Sequence, residues 1–126
     1  MIRSKLFAMA SLAMVFVSTS AAWGHFPWLV RNADGSVQYF FGEGLADRTY
    51  KLPPSIAAAK VYAVVGEGET KQLELQAVET EDFVGLQGKA GDLPANAPLI
   101  SEATFGIYHG ARLNYYTLHL GGQLPT

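Results

Sequence analysis

The sequence predicts an all-β chain: an antiparallel β-sandwich of about seven short strands behind an export signal. Three observations point there. Short runs of β-forming residues recur between clusters of Gly, Pro, Asn and Asp. No stretch carries the sustained apolar spacing of a long amphipathic helix. The first residues run basic, apolar and small, the order that signal peptidase reads.

That leader holds Arg3 and Lys5, an apolar run over residues 6–17, and small polar residues over 18–22. Two cuts satisfy the small-x-small rule, after Ala22 or after Gly24. The chain therefore divides into a signal peptide, residues 1–24, and a single β-sandwich domain, residues 25–126, placed in the periplasm or secreted. The apolar run is too short for a membrane span of ~20 residues, so no span is expected after cleavage. Two of the nine cations leave with the leader. Seven then face eleven acidic residues, a formal charge of −4. An acidic domain without a basic cluster is a poor match for nucleic acid or anionic membrane. With no cysteine, disulfides and thiolate metal sites are excluded, and stability rests on the apolar core.

Taken in order, residues 28–31 read as a strand, followed by the turn signal Asn32-Ala33-Asp34-Gly35 and a returning strand over 36–41. A turn centred on Asp34-Gly35 pairs residues whose numbers sum to about 68, which sets His25 near Glu43. Residues 48–52 form a short extended piece stopped by Pro53-Pro54. Ser55 is positioned to cap one helical turn, but the apolar run continues, so a strand is expected over 58–65. Residues 71–78 alternate with period two, Leu73, Leu75 and Ala77 on one side and Gln72, Glu74 and Gln76 on the other. Strands over 83–87, 99–108 and 113–120 follow, with a Gly/Pro-rich loop over 88–98 and a turn at His109-Gly110-Ala111. Leu73, Leu75, Val61, Phe83 and Ile107 are expected in the core. Of the adjacent pair Tyr115-Tyr116, one is expected inside and one on the surface.

Three histidines are present, and their spacing forms no HxH, HxxxH or HExxH motif. His25 differs from the others because cleavage after Gly24 makes it the first residue. Its free amine and its ring then address one metal ion. Glu43, between Gly42 and Gly44, is the carboxylate that the hairpin register brings towards it. Together they suit a divalent transition metal: nickel, cobalt, zinc or copper. His109 and His119 complete the candidate metal set of His25, Glu43, His109 and His119. Their alternative readings are a polar turn residue and a strand histidine on the solvent face. Asp47 ranks lower, as a partner of Arg48 or a loop cap. Ser101 lacks a nucleophile elbow, and neither Gly42-Glu43-Gly44 nor Gly66-Glu67-Gly68 has a phosphate-binding pattern. No catalytic residues are assigned, and the chain is not read as an enzyme.

With His25-Phe26-Pro27-Trp28-Leu29 directly after the signal, a strand ending in the turn Gly42-Glu43-Gly44, Ala59-Lys60-Val61, Leu73-Glu74-Leu75 and Gly106-Ile107-Tyr108, the chain resembles an exported bacterial family of unknown function. Its members are often labelled periplasmic components of cobalt or nickel uptake systems. The resemblance implies an immunoglobulin-like β domain, a nickel or cobalt cargo, and a metal-uptake transporter or another envelope protein as partner. Family members often carry histidine where this chain has Glu43. They also usually continue beyond the point of Thr126 into further β structure and sometimes a membrane anchor.

The leading expectation is an exported metal-binding or metal-delivery protein using an N-terminal histidine. The alternative is an exported structural or protein-interaction sandwich with no metal site. A copper enzyme would need a second histidine beside His25, and a carbohydrate-binding module is a further class.

Overall fold

The computed structural model describes residues 24–121. Residues 1–23 of the expected signal peptide, with the cut after Ala22, and residues 122–126 lie outside them. Eight strands form two four-stranded sheets with antiparallel neighbours throughout. The first sheet has the order β1 (Phe26–Arg31), β2 (Ser36–Gly42), β6 (Val84–Lys89), β5 (Gln76–Glu79); the second has β4 (Glu69–Leu73), β3 (Lys60–Gly66), β7 (Leu99–Tyr108), β8 (Ala111–His119). With strands lettered in chain order, this is the A-B-E-D sheet facing C′-C-F-G, the strand order of immunoglobulin sandwiches. Among the described residues no helix is long and apolar enough to cross a membrane.

The β1–β2 hairpin follows from its turn. Asp34 Oδ1 accepts the Ser36 amide at 2.8 Å and the Ser36 hydroxyl at 2.6 Å. Those two bonds hold the Asp34 carboxyl below its ordinary range. Asn32 N–H donates to the Ser36 carbonyl, and Gly35 takes φ +84°, a backbone region costly for any residue with a Cβ. The register runs from Phe26 opposite Gly42 to Arg31 opposite Val37, every pair summing to 68, as the turn predicts.

Two expectations about elements are corrected. The alternating stretch 71–78 is not one strand. Leu73 pairs with Val61 in the second sheet, whereas Gln76 pairs with Gln87 in the first, so the chain changes sheet at Glu74-Leu75. This raises the strand count from about seven to eight. The crossing passes so close to β6 that a Cβ on Gly88 would lie 2.6 Å from the Glu74 carbonyl. Ahead of β3, a four-residue helix α1 (Pro54–Ala57) has Pro53 rather than Ser55 at its N-cap, with no side-chain cap bond, and buries Ile56. The strand therefore begins at Lys60 instead of 58.

The core is the shared interior of the two sheets: Leu29, Val37, Tyr39 and Phe41 from β1–β2 meet Val61, Ala63, Leu73, Leu99 and Ala103. Leu73, Val61 and Phe83 are buried as expected, and Leu75 is half-buried against the cluster. Tyr115 packs on the core while Tyr116 is exposed. Ile107 is not a core residue, being 73 % exposed. A bulge between Thr104 and Gly106 breaks the β7–β8 register, and beyond it the hairpin tip leaves the interior. Residues 48–52, expected to be extended, form no strand. Arg48 lies over the outer face of the first sheet, its guanidinium 5.0 Å above the Phe40 ring and donating to Gln38 Oε1 at 2.6 Å.

Candidate functional site

Odd-numbered residues of β1 face the interior, since Pro27 and Leu29 are buried. His25, one pleat ahead of Pro27, therefore closes the end of the core. Its ring stacks on Tyr50 with centroids 3.9 Å apart and on Phe41 at 5.9 Å. These aromatic contacts fix where the imidazole sits.

The β1–β2 ladder ends at Phe26 opposite Gly42, and one step beyond it the side chains of His25 and Glu43 come together. Nε2 of His25 lies 3.8 Å from Glu43 Oε1, with both groups partly open to solvent. Glu43 is positioned by the loop after β2. Its backbone N–H donates to Asp47 Oδ2 at 3.0 Å, and Asp47 N–H donates to the Gly44 carbonyl at 3.1 Å. Asp47 thus acts as the loop cap. Arg48 turns instead to Leu45, Asn32 and Gln38. Gly42 is the glycine the loop requires, since a Cβ there would lie 2.3 Å from the Asp47 carbonyl. Its own carbonyl accepts Trp28 Nε1–H at 3.0 Å, tying the loop back to β1. Gly44 has open space on its Cβ side.

The other two candidate histidines are elsewhere. His109 occupies the β7–β8 turn with φ +50° and is exposed. His119 lies at the far end of β8 opposite buried Leu99, on the interior side of that edge strand and half-buried. The solvent-face reading of His119 is corrected accordingly. It is the Tyr115 ring that meets Phe41 and Phe26 beside His25. His119 is four residues farther along β8, about 13 Å at ~3.3 Å per residue. The four-residue candidate set is therefore not assembled. Among the described residues no cluster of three or more His, Asp or Glu side chains is placed to hold an ion.

Tyr50 is the site residue that sequence reasoning missed. It lies in a loop of no regular structure, and no periodicity links it to His25. In comparisons with known proteins, the chain matches no family model, no curated protein and no solved structure.

Proposed function

We propose that the protein is a metal-binding or metal-delivery protein of the cell envelope, which takes a divalent transition ion as cargo at His25. The observation that supports this reading is the His25–Glu43 pair at 3.8 Å, at an end of the sandwich where Tyr50 and Phe41 hold the imidazole. Cleavage after Gly24 would give His25 a free amine. The amine and Nδ1 of one histidine close a six-membered chelate ring, and Nε2 then points away from the ion. Nε2 is the nitrogen that faces Glu43. The carboxylate is thus suited to accept the Nε2–H, which fixes the ring and raises the donor strength of Nδ1, as carboxylates behind metal-bound histidines do. Two protein donors leave the remaining positions to water or to a receiving protein, and such an open site suits delivery. Nickel, cobalt and copper all accept nitrogen donors of this kind.

Calorimetric titration with nickel and with copper tests this on three proteins: one starting at His25, the same with one residue added before it, and Glu43→Gln. The added residue should abolish binding, and loss of the carboxylate should weaken it ~10–100-fold. Unchanged affinity in the extended protein would sink the terminal chelate. If only Glu43→Gln lost binding, the ion would instead lie between Nε2 and Glu43. The alternative, a protein-interaction sandwich, is supported by a separate observation, the apolar outer face of the second sheet.

A further inference from the structure

The two outer faces of the sandwich differ. On the first, the chain places its own Arg48 above Phe40. Among the described residues the outer face of the second sheet has no such cover, and its centre is apolar. Leu118 stands opposite Ile100, and Ile100 opposite Tyr62, a single row across β8, β7 and β3. Tyr116, Leu118 and Leu120 are 76 %, 59 % and 48 % exposed. A shallow hollow of about 320 Å³ lies among Tyr62, Ile100, Tyr116 and Leu118. A solvated sheet face normally carries polar residues at these positions.

We propose that this face is the contact of a two-fold symmetric homodimer. Charge selects a second copy as the occupant. In the row beside the apolar one, Lys60 stands opposite Glu102 across β3 and β7. Among the described residues the one ion pair is His25–Glu43, so these two exposed charges are free to pair across an interface. A two-fold axis parallel to the strands, lying over the line between β3 and β7, exchanges those strands. Lys60 of each copy then lies over Glu102 of the other, and Tyr62 over Ile100. The four charges form a ring of alternating sign, and the Tyr62–Ile100 pairs of the two copies close on each other, flanked by Leu118 over Gln72. An axis over β7 itself would set Glu102 against Glu102. The face is thus self-complementary in this alignment, as an isologous contact requires. Stacking of aligned sheets face to face is the same packing that builds the sandwich itself.

Such a contact involves one sheet face and belongs with small, weak interfaces, so dissociation in the range of ~1–100 µM is expected. Sedimentation equilibrium over that range should give a monomer–dimer fit. Leu118→Glu should leave only monomer. Lys60→Glu and Glu102→Lys should each weaken association at least ~10-fold, the effect of setting like charges against each other. The two single variants mixed in equal amounts should associate as the parent does, because each supplies the charges the other lacks. All three positions are exposed, and circular dichroism checks that the fold is kept. A monomer throughout overturns the proposal. So does a dimer indifferent to the charge variants, or a mixture that stays monomeric, since either places the contact elsewhere.

Discussion

Tyr39 gives the sharpest test of the interior. It sits in the middle of β2 with none of its surface exposed, and its hydroxyl has no hydrogen-bond partner. The neighbouring hydroxyls of Ser101 and Thr117 are engaged with each other. A buried hydroxyl without a partner costs about 1–3 kcal/mol. Tyr39→Phe removes that cost and takes away only one atom, so the variant should be about 1 kcal/mol more stable near pH 8. Burial also pushes the phenol up to about 12 from the ordinary value of 10.0, and Tyr115 adds slightly. The unfolded chain releases this proton above pH 10 while the folded chain keeps it until about 12. Stability is therefore fully present below pH 10 and falls as pH rises through that window. At pH 11 the loss is about 1.4 kcal/mol, one unit of the shift. Exposed tyrosines titrate alike in both states and cancel. Urea unfolding of parent and variant at pH 8 and pH 11 should show the gap between them widening by that amount. A gap that stays constant would mean that Tyr39 ionises at its ordinary value, and that water reaches the hydroxyl. A variant less stable than the parent at pH 8 would mean that the hydroxyl has a partner.

Other outcomes follow from packing and loop geometry. Leu99→Ala, at a position with no exposed surface, should cost about 2–5 kcal/mol in denaturant unfolding. Ile107→Ala should cost less than about 0.5 kcal/mol, because the side chain is already in solvent. Gly42→Ala must displace the Asp47 carbonyl. It should cost about 1–3 kcal/mol in thermal unfolding and perturb the His25 ring signals in NMR spectra, as Glu43 moves with the loop. Arg48→Ala uncovers Phe40 and leaves Gln38 and Asn32 without their donor. A loss of about 1–2 kcal/mol is expected from the cation–π and hydrogen-bond terms together.

What the sequence determined by itself was local. Asp34, Gly35 and Ser36 specify a turn, the turn specifies a register, and a register counted outward over nine residues on each side brings His25 to Glu43. Pairing across a tight hairpin depends on the conformation of three residues, so it can be read without knowing the rest of the fold. The division of Tyr115 from Tyr116 was legible for a similar reason, since alternation along one strand needs no partner. Alternation also explains what stayed hidden. Leu73 and Leu75 both point inward, and period two is satisfied whether their strand continues or crosses to the other sheet. Only the interior formed by both sheets decides that the chain crosses between them. The same holds for His119, whose inward side is set by pairing with Leu99, and for Ile107, expelled by a bulge that no residue pattern announced. Tyr50 on His25 and Arg48 on Phe40 are contacts between a loop and residues of the hairpin region that precedes it. Their geometry comes from how the loop must fold to close over one end and one face of the sandwich. Periodicity records which way a side chain faces, and the opposing surface exists only once both sheets have met.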